Sequence, residues 1–133
     1  MAPRTYTLEE ANAALDRVRP LVARISESVA RLPGLQEEVR TAEYRMRRAA
    51  GSAPERERFE RTRDDLHATE ESLLEALARL EDLGVQLKDP WLGLVDFLSY
   101  REGELVELCW RLGEERIRYW HRIGDGYPGR RPL

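Results

Sequence analysis

The chain has 133 residues, of which 41% are hydrophobic and 35% are charged. This length fits a single domain that can bury a core without metals or disulfides to hold it together. Basic and acidic side chains nearly cancel, 22 against 25, so the net charge of -3 offers no field that would attract a nucleic-acid backbone. The abundance of Arg, Glu and Leu favours long amphipathic helices.

The cysteine content and the N-terminal sequence favour a cytoplasmic protein. The single cysteine, Cys109, cannot form an internal disulfide, and the opening residues lack the apolar segment of an export signal. No apolar run approaches the length of a membrane span. We therefore expect a cytoplasmic protein that binds neither membranes nor nucleic acids.

Residues 7–83 are predicted to form a helical hairpin. Thr7 and Glu10 fit a capping box, which marks the start of the first helix. Apolar residues then follow in alternating steps of three and four, as in paired helices, at Leu15, Val18, Val22, Ile25, Val29 and Leu32. Pro20 is expected to kink this helix, and Pro33-Gly34 is expected to be a stronger break beyond which the stripe resumes.

A turn is predicted at residues 50–54, and a second helix from Ser52 to Leu83. Ser52 and Glu55 fit a second capping box, while Gly84 suits the left-handed position that ends a helix. At 1.5 Å per residue this helix is roughly 45 Å long, longer than a compact domain needs. The exposed stripe of such a hairpin predicts either a homodimer or a cover formed by the C-terminal part.

The last fifty residues, 84–133, show a hydrophobic period of 2 in place of 3.6, which predicts a small antiparallel sheet. Its strands are expected at Val85–Asp89, Leu94–Tyr100, Glu104–Leu112 and Arg116–His121. The tail from Gly124 to Leu133 is rich in Gly and Pro, so we expect an ordered strap without regular structure. The predicted fold class is therefore α+β in a single domain, with a helical hairpin, a small sheet and this tail.

The lengths of two turns set the predicted register of the sheet. With a two-residue loop after Arg101, Asp96 faces Cys109 across the second and third strands. With a three-residue loop after Leu112, the fourth strand brings His121 to the same face. One face of the sheet is then apolar, and the other carries a carboxylate, a thiol and an imidazole.

These three groups on neighbouring strands can ligate a divalent transition metal, either zinc or iron. Asp96, Cys109 and His121 are therefore the candidate metal ligands. In a purely structural alternative, Cys109 is a small buried side chain and His121 a hydrogen-bonded one. A third hypothesis makes the thiol a nucleophile and the imidazole its base, although no oxyanion hole is evident.

Aromatic and basic residues near the end of the chain predict a ligand pocket. Tyr119, Trp120 and Tyr127 would form its walls, and Arg130 would bind a carboxylate or phosphate through its planar guanidinium. The alternative is that the aromatic rings close the core and the arginines pair with surface glutamates.

Several short clusters in the chain resemble the signature of an uncharacterised bacterial family, the domain of unknown function numbered 2203. They are Thr7 to Asn12, Val18 to Leu21, Gly84 to Asp89, Gly93 to Phe97, Leu108-Cys109-Trp110, Gly113-Glu114, Tyr119-Trp120-His121, Gly126-Tyr127 and Arg130. The resemblance spans essentially the whole chain and implies no particular activity. It points to Asp96, Cys109, Trp110, Glu114, Trp120, His121 and Arg130 as the positions to test.

We therefore expect a ligand- or metal-binding module with its site on the C-terminal sheet. The predicted ligand-binding set is Trp110, Glu114, Tyr119, Trp120 and Arg130. The alternative is a protein-interaction or scaffolding module that acts through the helical hairpin. Whether the chain is an enzyme stays open, because no recognisable catalytic set is present.

Overall fold

Two long helices precede a five-stranded antiparallel sheet in the computed structural model, which describes residues 3–49 and 52–133. The helices are α1 (Leu8–Arg48) and α2 (Ala53–Asp82), and the strands are β1 (Gln86–Asp89), β2 (Leu94–Arg101), β3 (Glu104–Arg111), β4 (Tyr119–Arg122) and β5 (Arg131–Pro132). A short 3-10 helix, Tyr127–Gly129, precedes β5. The predicted α+β class, with a helical hairpin followed by an antiparallel sheet, is confirmed.

The start of α1 is the predicted capping box. The Thr7 hydroxyl accepts a hydrogen bond from the backbone N–H of Glu10 at 3.1 Å, and the Glu10 carboxylate accepts one from the backbone N–H of Thr7 at 2.9 Å. These two bonds satisfy backbone donors that a helix leaves free at its N-terminus.

The predicted break at Pro33-Gly34 was wrong, because α1 continues through Pro20 and through Pro33 to Arg48. Each proline removes one backbone donor, and Pro33 and Gly34 both lie on the exposed side of the helix. Leu35, one residue further on, is buried. Packing against α2 on both sides of the proline therefore keeps the helix continuous.

The second predicted capping box, at Ser52 and Glu55, was also wrong. The Ser52 side chain makes no capping hydrogen bond, and its backbone N–H donates to the carbonyl of Ala49 at 3.2 Å. In a capping box the Glu55 carboxylate would accept a hydrogen bond from the Ser52 N–H, but the preceding turn already uses that N–H. Of the predicted turn at residues 50–54, residues 50 and 51 lie outside the described residues.

The core lies where the first half of α1 and the last part of α2 cover one face of the sheet, here called the inner face. Its buried residues include Val18, Val22, Ile25, Leu80, Val95, Phe97, Leu108 and Trp110. Tyr6 ties the N-terminal segment to this core, because its ring meets Phe97 edge-on at 5.2 Å and its hydroxyl donates to the Leu83 carbonyl.

The helical hairpin exposes two large apolar side chains to solvent, Tyr44 near the end of α1 and Leu74 on α2. Pairing of this hairpin with a second copy or another partner stays a prediction. Across residues 3–49 and 52–133, neither helix carries an apolar stretch long enough to cross a membrane.

The five strands pair in chain order, so each strand is hydrogen-bonded to its neighbours in sequence. Asp96 pairs with Cys109, and Glu107 pairs with His121, which is the register predicted from the turn lengths. The strand predicted from Arg116 begins only at Tyr119. Its first residues are diverted because the Ile117 N–H donates to the Asn12 side chain of α1 at 2.8 Å.

The tail forms more regular structure than its Gly and Pro content predicts. After the 3-10 helix, Arg131 and Pro132 pair with Trp120 and Tyr119 of β4. Proline is tolerated there because β5 is an edge strand. The prediction of a tail without regular structure was therefore wrong at these positions.

Candidate metal centre

The face of the sheet that points away from the helices, here called the outer face, is polar and yet buried. Asp96 is 1% exposed, Glu107 6%, Cys109 0% and His121 1%. Side chains alternate between the two faces along a strand, and the cross-strand pairs bring these four residues to the same side of β2, β3 and β4. Buried polar groups cost free energy unless they are paired, so each of them needs a partner.

The imidazole of His121 is held by hydrogen bonds on both ring nitrogens. Its Nδ1 lies 2.9 Å from the carbonyl oxygen of Arg122, and its Nε2 lies 3.1 Å from both carboxylate oxygens of Asp96. A carbonyl can only accept, so Nδ1 carries the proton and Nε2 faces the carboxylate. Metal-binding histidines commonly have this arrangement, because the backbone contact fixes the tautomer and aims the other nitrogen at the metal.

Cys109 completes a cluster with these two residues. One ligand atom from each of Asp96, Cys109 and His121 lies within 4.8 Å of the other two. Burial raises the pKa of the Cys109 thiol to about 12, the nearby negative charge of Asp96 adds to this effect, and Arg130 opposes it. A thiol held in its protonated form is a poor nucleophile, which argues against the nucleophile-and-base hypothesis.

The separations in this cluster can be compared with those around a bound zinc ion. Zinc is held about 2.0 to 2.3 Å from nitrogen, oxygen and sulfur ligands in a tetrahedral arrangement, which puts the ligand atoms roughly 3.4 to 3.6 Å apart. The Nε2 to Oδ1 distance of 3.1 Å is close to that value. The three ligand atoms as a group lie within 4.8 Å of one another, so ligation of one metal would require them to move closer together.

Three of the five predicted ligand-binding residues lie together beside the cluster. The Arg130 Nη2 donates to both carboxylate oxygens of Glu114, at 2.6 and 2.8 Å. Its guanidinium also stacks on Tyr119 at 4.0 Å and on Tyr127 at 4.8 Å. The same Nη2 lies 3.5 Å from the carbonyl oxygen of Cys109, so this arginine joins the tail to the strand that carries the thiol.

The other two predicted ligand-binding residues lie on the inner face. Trp110 is fully buried in the core, and its indole N–H donates to the Glu114 carbonyl at 3.0 Å. Trp120 packs against the same core and has the Arg101 guanidinium 4.7 Å from its ring. Because Tyr119 and Trp120 are adjacent in β4, they point to opposite faces and do not form one pocket wall.

Lys88 contacts the site and was not among the predicted site residues. Its ammonium lies 3.9 Å from Oδ2 of Asp96 and 3.6 Å from Oε2 of Glu107. Gln86 pairs with Asp96 in β1 and β2, so the alternation along β1 places Lys88, two residues further on, on the same face as Asp96. The signal in the sequence was that Lys88 is the only lysine in a chain rich in arginine.

Comparison with known proteins identifies the family and gives no further relative. No curated protein and no solved structure matches the chain. A family model described as an uncharacterized conserved protein, DUF2203, matches residues 4–133, which is nearly the whole length. The resemblance noted in the sequence is thereby confirmed, and the chain belongs to the DUF2203 family.

Proposed function

We propose that this protein is a metal-binding module in which Asp96, Cys109 and His121 hold one divalent transition metal. The observation that carries the proposal is the convergence of three different metal-ligating groups on one buried spot of the outer face. The backbone hydrogen bond of His121 Nδ1 supports it, because that bond orients the ring so that Nε2 is aimed at Asp96, another of the proposed ligands.

The charges of the three ligands support the same proposal. A carboxylate and a thiolate together carry two negative charges, and a neutral imidazole adds none. One divalent ion therefore makes the buried site neutral, which avoids the cost of burying an uncompensated charge. Metal ligation requires the thiolate, and a bound metal deprotonates a coordinating thiol.

Zinc is the first choice of metal. Thiolate, imidazole and carboxylate are all ordinary zinc ligands, and three protein ligands leave a fourth position for water or another group. Iron is the second choice. The common three-residue iron(II) sites use two imidazoles and one carboxylate, whereas this cluster has one imidazole.

Elemental analysis of protein purified without an affinity tag tests the proposal directly. We expect close to one equivalent of zinc or iron, and less than about a tenth of an equivalent of any transition metal would count against it. Metal-free protein should then be titrated with Zn²⁺ in competition with a chromophoric chelator. Failure to bind would leave Asp96 and His121 as a structural hydrogen-bonded pair.

The two histidines of the chain provide a matched control. His121→Gln removes a proposed ligand, whereas His67→Gln changes an exposed histidine on α2. We expect the first variant to lose zinc binding and the second to bind like the wild type. Equal zinc affinity in both variants would contradict the proposed ligand set, provided that circular dichroism shows both to be folded.

A further inference from the structure

Glu107 is a buried carboxylate whose pairing is incomplete. Its side chain is only 7% exposed. Within residues 3–49 and 52–133, the one charged partner of this carboxylate is Lys88, at 3.6 Å, which is longer than an ordinary hydrogen bond. Neither oxygen of Glu107 is among the fully buried polar atoms that lack a partner in the described residues, so its carboxylate keeps contact with solvent and is open to a cation.

The position of Glu107 directs that capacity toward the proposed metal ligands. It lies directly opposite His121 in the pairing of β3 with β4, and it precedes Cys109 by two residues on the same face of β3. It also shares the ammonium of Lys88 with Asp96, a proposed ligand. Both carboxylates thus face the same cation at the edge of the cluster.

Lys88 is the most accessible of these groups. Its side chain is 42% exposed, whereas that of Asp96 is 2% exposed. A long side chain with its tip at the surface can move into solvent at little cost. The edge of the site that Lys88 covers is therefore where an ion can enter.

We propose that Glu107 is a fourth ligand of the metal centre and that Lys88 is a placeholder cation for it. The inference rests on the proposed function. In the metal-free protein the ammonium offsets one of the two negative charges of Asp96 and Glu107. An entering divalent ion repels the ammonium, Lys88 turns out into solvent, and the freed Glu107 carboxylate takes the fourth position. The one negative charge that Glu107 adds to the otherwise neutral three-ligand site then lies at the solvent-accessible edge that Lys88 had covered.

The first test measures how accessible the Lys88 amine is in the wild-type protein. The metal-free and zinc-loaded forms are treated with an acetylating reagent, and the modification of this only lysine is followed by mass spectrometry with the N-terminal amine as reference. We expect zinc to raise the acetylation rate by about fivefold, the factor that corresponds to losing one partly exposed ion pair. An unchanged or lower rate while one equivalent of zinc is bound would overturn the placeholder role.

The second test measures zinc affinity in variants. Glu107→Gln should weaken binding by about 10- to 100-fold, whereas the control Glu104→Gln, exposed on the same strand, should not change it. Lys88→Met should tighten binding by about fivefold because it removes a competing charge. Arg61→Met removes a positive charge at an exposed position on α2 and is the control for the loss of one positive charge in Lys88→Met.

Cobalt(II) substitution separates ligation from a merely structural effect. The visible spectrum of bound Co²⁺ responds to the number and type of its ligands, so it should change in Glu107→Gln and stay constant in Glu104→Gln. An identical spectrum and affinity in Glu107→Gln would overturn the ligand role. A wild-type protein that binds no metal would overturn the proposed function and this inference together.

Discussion

Both faces of the sheet contain fully buried side chains, but those on the inner face are apolar and most of those on the outer face are polar. On the inner face, Phe97 and Trp110 are fully covered by apolar neighbours from the two helices. On the outer face, Asp96 and His121 are 1% exposed and contact each other through the imidazole and the carboxylate. The ammonium of Lys88 lies 3.9 Å from Asp96 on this face.

This difference indicates that the inner face determines the stability of the fold and the outer face determines what the protein binds. Burying apolar surface stabilises the folded state directly, at about 25 cal/mol per Å². Burying carboxylates and an imidazole does not, unless each is paired, and such groups in folded proteins are often found at functional sites. Substitutions on the inner face should therefore change the free energy of unfolding, and those on the outer face should change what binds.

The largest effect is expected from Phe97→Ala on the inner face. The substitution leaves a cavity beside Tyr6 and should lower the free energy of unfolding by about 3–5 kcal/mol, measured by urea denaturation. Tyr100→Ala, on the same strand but 62% exposed, should change it by less than about 0.5 kcal/mol. Similar losses for the two variants would contradict the division between the faces.

Zinc should stabilise the protein through the outer face alone. At a free concentration about 100 times the dissociation constant, binding to the folded state raises the free energy of unfolding by about 2.7 kcal/mol. The difference between unfolding with and without zinc should vanish in His121→Gln and persist in His67→Gln. A zinc effect that persists in His121→Gln would assign the stabilisation to a different site.

Gly93 tests how tightly the inner face is packed. Its φ is +67°, and an added Cβ would lie 2.6 Å from the Cβ of Leu112 and 3.1 Å from Cγ1 of Val22. Gly93→Ala should therefore cost about 1–3 kcal/mol of stability through backbone strain, with steric overlap in addition. Gly113→Ala is the control, since it also has a positive φ but has open space around the added carbon. Equal costs would show that overlap contributes nothing.

Removing the Glu10 carboxylate from the cap of α1 should have the smallest effect on stability. Hydrogen bonds from the Thr7 backbone and hydroxyl lower the pKa of Glu10 below its ordinary value of 4.5. The ionised Glu10 carboxylate therefore contributes its full stabilisation at a pH above 4.5. That stabilisation is lost as the pH falls through the lowered pKa of the folded protein. Glu10→Gln should thus melt at a lower temperature than the wild type near neutral pH, and the gap should close in acid. Glu9→Gln, in the same turn, should show less pH dependence.

The sequence was most informative where a repeating pattern or a turn length determines position. The alternation in β2 and β3, together with a two-residue loop, predicted that Asp96 faces Cys109, and the structure has that pair. The capping box at Thr7 depends only on neighbouring residues and was confirmed. Local rules of this kind do not need knowledge of the tertiary fold.

The remaining features depend on contacts between distant residues. Packing of α1 against α2 keeps α1 continuous through Pro33, which a local rule treats as a break. The side chain of Asn12 diverts the chain before β4, and Lys88 reaches Asp96 and Glu107 from a neighbouring strand. Neither contact is encoded in a short window of sequence.

The pairing of strands in chain order has a consequence for folding kinetics. The three proposed ligands lie on consecutive strands, between residues 96 and 121, and are joined by short loops. The entropy lost on closing such loops is small, and structures with local contacts fold fast. The metal site should therefore assemble as soon as β2, β3 and β4 pair, before the long hairpin needs to be fully docked.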